Sequence, residues 1–127
     1  MAIEDIQVVS VPVSDQDRAK QFYVHLLGFT LVKDDTSVPG IRWISVAPSG
    51  GRVVLTLVTW FGTMPAGSLR GLVMRSGDIE SDYQKLLARG VEFEGPPAVQ
   101  PWGTETVFRD PDGNEFVLQQ SHEPGEL

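Results

Sequence analysis

At 127 residues, the chain has length for one domain or two very small repeats, and ordinary usage of hydrophobic (41%) and charged (21%) residues excludes disordered, collagen-like and coiled-coil classes. Seventeen acids against ten bases give a net charge of −7, which repels phosphate backbones and argues against nucleic acid as a partner. The complete absence of cysteine removes disulfides, thiolate metal sites, Fe–S clusters and cysteine nucleophiles together.

The valine-rich run from Ile6 to Val13 reads as a buried strand. Asp15 is placed to cap a helix extending to about Leu27, with Ala19, Phe22, Tyr23, Leu26 and Leu27 at helical spacing and Gly28 as the stop. Strands are predicted over Phe29 to Lys33, Arg42 to Ala47 and Arg52 to Trp60, broken at Pro39-Gly40 and Pro48-Ser49-Gly50-Gly51. After a linker over 61–69 the order repeats. Arg70 to Ser76 reads as a strand, and Asp78 caps a helix carrying Ile79, Tyr83, Leu86 and Leu87 that Gly90 stops. Further strands are predicted over Val91 to Phe93, Thr104 to Arg109 and Glu115 to Gln120; Asp110-Pro111-Asp112-Gly113-Asn114 makes the turn between the last two.

The economical fold class is α+β, with two tandem βαβββ modules (4–60 and 70–121) in a single domain 1–127 and a tail over 122–127. Helices on the outer face of a curved mixed sheet leave the opposite face as a cup, the natural place for function. No stretch approaches the ~20 apolar residues of a membrane span, and the acidic start Met1-Ala2-Ile3-Glu4-Asp5 is unlike a signal peptide, so a cytoplasmic protein without membrane partners is expected.

Asp15, Phe22-Tyr23 and Leu27-Gly28-Phe29, followed by Arg109-Asp110-Pro111-Asp112-Gly113-Asn114, resemble the vicinal-oxygen-chelate superfamily of glyoxalases, bleomycin resistance proteins and extradiol dioxygenases. The resemblance extends from Ile6 to Gln120 and concerns the fold, since the turn motif is shared by every branch. It implies four cup positions where enzymatic relatives carry His, Glu or Gln ligands for a divalent metal. Those positions hold Val8, Thr56 (or Val54), Leu72 and Val117, so no metal and no cofactor are expected. His25 falls on the first helix and His122 in the tail, neither on a cup strand. The resemblance also implies a homodimer, with cups completed by modules from two chains.

Period-two projection from the four positions that the resemblance supplies gives a mainly apolar lining with isolated polar groups, the composition of a small-molecule pocket. The candidate ligand-binding residues are Trp43, Ser45, Thr56, Trp60, Met74, Trp102, Glu105, Glu115 and Gln119. Indole faces stack on planar rings or hold a cation, and Met fits irregular shapes. Trp102, in Gln100-Pro101-Trp102-Gly103, is placed on the rim. Arg109 beside Asp110 reads as a salt-bridged turn, and Arg42, Arg52, Arg70 and Arg75 as solvated strand ends. No nucleophile–base pair and no phosphate-binding loop is present. Three functions stay open: a non-catalytic protein sequestering a planar or cationic compound, a metal-dependent glyoxalase- or dioxygenase-type enzyme, and a structural protein whose cup is filled by its own side chains.

Overall fold

The protein's structure is a computed structural model that describes residues 1–122, so the tail beyond His122 lies outside the described residues. Strand β1 (Val8–Pro12) leads to α1 (Gln16–Lys20), where the Asp15 side chain accepts from the Arg18 backbone N–H at 3.0 Å. Beyond Lys20 the helix widens into a π-helical turn over Gln21–Leu26. This winding buries two successive aromatics, Phe22 and Tyr23, whose rings meet edge-on with centroids 5.0 Å apart. Strands β2 (Thr30–Asp35), β3 (Trp43–Ala47) and β4 (Val54–Val58) complete a first sheet in the order β1-β4-β3-β2, with β1 parallel to β4.

The order repeats with β5 (Leu72–Arg75), α2 (Ile79–Ala88), β6 (Glu92–Phe93), β8 (Gly103–Arg109) and β9 (Glu115–Ser121), in the sheet order β5-β9-β8-β6. Asp78 caps α2, accepting from the Ser81 N–H at 3.1 Å. One strand was not anticipated: β7 (Ala98–Gln100) pairs with β8 as a tight hairpin through Pro101-Trp102. The βαβββ repeat is therefore present, with its strands in two sheets, one per repeat, where the sequence suggests one shared sheet.

The helix-facing sides of both sheets enter one hydrophobic cluster. Val11, Ile44, Val46, Leu55 and Leu57 come from the first sheet and Phe108, Phe116 and Leu118 from the second, with Ala19, Phe22, Tyr23 and Ile79 between them. Full burial of such side chains contributes about 1.5–3 kcal/mol each. No helix among the described residues is long and apolar enough to cross a membrane.

The two repeats are joined at the turn Asp110–Asn114. Asp110, 4% exposed, accepts from the Tyr23 hydroxyl (2.7 Å), from the N–H groups of Asp112 (3.0 Å) and Asn114 (2.9 Å), and from the Asn114 amide (2.8 Å). Asn114 also donates to the Pro12 carbonyl and accepts from the Leu69 N–H. Asp112 accepts from Ser14 and Arg18 of the first repeat. Burial pushes the Tyr23 phenol well above its ordinary range, and the neighbouring Asp110 adds to the shift.

Strand β2 forms one edge of the first sheet; its pairing with β3 shifts register between Leu31 and Lys33. Its distal half is charged. Asp34 binds Lys20 at 2.9 Å and Arg42 at 3.0 Å, and these cations hold its carboxyl far below the usual carboxylate range.

Candidate functional site

Strand alternation turns one side of each sheet to the core and the other away from it. In the first sheet the outer side carries Val8 and Ser10 on β1, Trp43 and Ser45 on β3, and Val54 and Thr56 on β4, as the sequence predicts. Thr56 lies in register with Ser10 on one side and Ser45 on the other, so three hydroxyl residues run in a row across the sheet. Thr56 is fully buried and its Oγ1 has no hydrogen-bond partner among the described residues. Such an orphan typically costs ~1–3 kcal/mol, which marks it as a group awaiting a partner. Ser10 is not among the candidate residues, and its register adjacency to Thr56 singles it out.

Trp43 and Trp60 stack with centroids 6.1 Å apart and planes inclined by 26°. Phe61 continues the group, its ring 6.2 Å from that of Trp60. Beside the tryptophans lies a cleft of about 290 Å³, also lined by Lys33, Asp35, Val38 and Ile41. Val38 and Ile41, which flank the Pro39-Gly40 turn, and Phe61, at the start of the linker, are not among the candidate residues.

The second sheet requires a correction. Leu72 pairs with Phe116 and Met74 with Leu118, and both partners belong to the core. Leu72 and Met74 therefore face the helices, and Met74 is not a cup residue. The outer face of β5 carries Val73, half-exposed, which lies in register with Val117; Val117 in turn pairs with Val107. A row of three valines thus occupies the place that hydroxyls take in the first sheet. The third position that the resemblance points to therefore lies in the core at Leu72, with Val73 in its place on the outer face. Among the described residues no group of three or more His, Asp or Glu gathers around a common point.

Three other candidates do meet. Glu105 Oε1 accepts from the Trp102 indole N–H and from the Gln119 amide at 3.2 Å. This cluster sits at the β7–β8 hairpin, where Trp102 is 54% exposed. No ion pair engages Glu105 among the described residues, so its charge is available. Glu115 differs: Arg109 binds it at 3.0 Å and Arg70 approaches to 3.6 Å. Its charge is answered within the chain, which corrects its assignment as a partner for a cationic ligand; Arg109, read as salt-bridged beside Asp110, takes Glu115 as its partner instead. Among the described residues, no hydrogen bond or ring contact connects the Trp43–Trp60 group to the Trp102–Glu105–Gln119 group.

The structure is thus two repeated sheets joined at the Asp-Pro-Asp-Gly turn, the first with an aromatic, sparsely polar outer face. The family model "Glyoxalase/Bleomycin resistance protein/Dioxygenase superfamily" matches residues 5–118. TnmS3, described as an antibiotic binding protein from Streptomyces sp. CB03234, is 51% identical and superposes with a TM-score of 0.90, covering 95% of this chain and 98% of that one. A glyoxalase/bleomycin resistance protein from the same organism is 50% identical with a TM-score of 0.83, over 91% and 100% of the two chains. Protein YetH of Bacillus subtilis (strain 168), described as uncharacterized, is 38% identical over 93% of this chain and 99% of its own. With sequence, repeat topology and joint in agreement, the chain belongs to the glyoxalase/bleomycin resistance protein/dioxygenase superfamily.

Proposed function

We propose that this protein binds and sequesters a small planar or cationic compound, and that it does so without a metal ion. The observation that carries the reading is the Trp43–Trp60 stack beside its cleft. Trp43 stays 37% exposed although an indole gains several kcal/mol from burial, so a face is held open at a cost that a guest can offset. The cleft approaches the ~300–1,000 Å³ usual for small-molecule sites. The likeness to a protein described as antibiotic binding supports the same reading.

The donor set does not fit a divalent ion. Val8, Thr56, Val73 and Val117 offer one hydroxyl between them, whereas such ions require several carboxylates, carbonyls or imidazoles converging. Neither imidazole helps: His25 lies exposed on the π-helical turn, and His122 contacts the Gln100 carbonyl at 2.8 Å. A stoichiometric divalent metal in protein purified without chelator would overturn this part of the proposal and favour a metal-dependent enzyme.

The working unit we propose is a homodimer in the cytoplasm. Both outer faces carry exposed apolar side chains, Val8 and Trp43 on the first sheet and Val73 and Trp102 on the second. Apposing the first sheet of one copy to the second sheet of another covers them, and brings Trp102, Glu105 and Gln119 over the tryptophan stack. In this arrangement Glu105, not Glu115, meets a ligand's positive charge. Sedimentation at micromolar concentration is expected to show twice the 13.9 kDa chain mass; a monomer alone would refute the arrangement.

Tryptophan fluorescence titration with a panel of aromatic amines and antibiotics tests the binding function. For any compound that binds, Trp43→Ala is expected to weaken affinity about tenfold, since a stacking contact is worth ~1–2 kcal/mol. Unchanged affinity in a folded Trp43→Ala protein would remove the stack from the site, and silence across the panel would favour a purely structural role. Thr56→Val should act in opposite directions on the two properties. Removing the orphan hydroxyl is expected to raise the stability of the free protein by about 1 kcal/mol while weakening ligand binding. A destabilised Thr56→Val protein in chemical denaturation would show that the hydroxyl is already satisfied.

A further inference from the structure

A second cavity, of about 230 Å³, lies on the helix side of the molecule, away from the cup. Its floor is apolar, built from Met74, Leu86, Phe108 and Leu118, and Leu27 and Phe29 of the first repeat close one wall. Its charge is unusual for this chain. Of the ten Lys and Arg residues, six stand in ion pairs. Among the described residues the other four are Arg52, Arg75, Lys85 and Arg89, and the last three all line this one cavity. The single acid in the wall, Asp82, accepts from the Ser76 hydroxyl at 2.6 Å. Arg89 is anchored at the rim by donating to the Leu26 carbonyl at 2.9 Å. The last turn of a helix attracts cations, which accounts for Lys85 and Arg89 on α2. Arg75 borders the cavity from β5 but pairs with Gln119 and so shares the outer face with Val73, which leaves Lys85 and Arg89 as the cationic rim.

We propose that this cavity is a second binding site, for a small organic carboxylate with a compact apolar body. A protein of net charge −7 repels anions in general, so a place where two cations without an ion pair, Lys85 and Arg89, stand against one hydrogen-bonded acid, Asp82, over an apolar floor selects an anion that also has something to bury. The volume lies below the ~300–1,000 Å³ of drug-sized pockets and limits the guest to a molecule such as a six-carbon acid.

Titration of ¹⁵N-labelled protein with hexanoate, hexanamide and inorganic phosphate tests the site. Hexanoate is expected to saturate with a Kd of a few mM or tighter, shifting the amides of Met74, Arg75 and residues 85–89, with hexanamide and phosphate each at least ~10-fold weaker. Lys85→Gln combined with Arg89→Gln should abolish the preference for hexanoate over hexanamide, and Met74→Trp should block both by filling the floor. Equal binding of acid and amide, phosphate binding as tightly as hexanoate, shifts confined to the Trp43 cleft, or no saturable shift would each overturn the proposal. Because none of these readouts involves the cup, they stand apart from the test of cup binding.

Discussion

Asp110→Ala should destabilise the protein by ~3–5 kcal/mol, a large part of the ~5–15 kcal/mol that holds a domain of this size together. The carboxyl is 4% exposed and accepts four hydrogen bonds. Truncation therefore strands the Tyr23 hydroxyl, the Asn114 amide and two backbone N–H groups in a place water does not reach. Asp110→Asn keeps one acceptor oxygen but turns an NH₂ toward the Asn114 amide, and is expected to cost less, about 1–3 kcal/mol. Urea denaturation orders the two variants, and an Asp110→Ala midpoint indistinguishable from the parent would remove the joint from the account of stability. The same contact predicts a pH dependence. Native burial favours the neutral Tyr23 phenol, so its contribution is complete below pH ~10 and is lost as pH rises from there toward the raised native value. Asp110→Asn should shrink that alkaline loss by removing the neighbouring negative charge.

Gly67→Ala attacks the joint from the opposite side. The Gly67 N–H donates to the Pro12 carbonyl at 3.0 Å, with its backbone at φ +81°. A Cβ there would stand 2.0 Å from the Asp112 carbonyl oxygen, so a left-handed penalty of ~1–2 kcal/mol adds to a backbone collision that only moving the turn relieves. A total of ~3 kcal/mol or more is expected, lowering Tm by roughly 10 °C. Gly62→Ala is the control, because nothing lies within 4 Å of its would-be Cβ and its φ is unexceptional; it should melt within a few degrees of the parent. Equal melting of the two variants would show that the turn moves aside without cost.

The sequence was most legible where pattern is local. Both helix caps, Asp15 and Asp78, follow from residue type alone, and the faces of β1, β3 and β4 follow from period two once the family resemblance supplies a starting position on each strand. It failed at β5, where Leu72, Val73 and Met74 are all apolar, so period two has no polar residue to orient it. Pairing with Phe116 and Leu118, some forty residues away, decides which side is buried. β7 was hidden by its brevity between prolines, Pro96-Pro97 and Pro101. In the site, the Trp102–Glu105–Gln119 cluster joins residues whose individual types were suggestive, while their bonding to one carboxyl oxygen is a property of the hairpin. Glu115 went astray because its second cation, Arg70, lies across the chain and reads as a solvated strand end.

An apolar sheet face and an unpaired sheet edge are separate hazards, and β2 bears on the second. A free edge invites another chain to continue the ladder, growing into fibres without limit. Here that edge is offset by a register shift after Leu31 and then lined with Lys33, Asp34 and Asp35, so an incoming strand meets broken spacing followed by fixed charge. Polymerisation along that edge is thereby discouraged, and the protein can keep greasy surfaces open without seeding aggregates from this side.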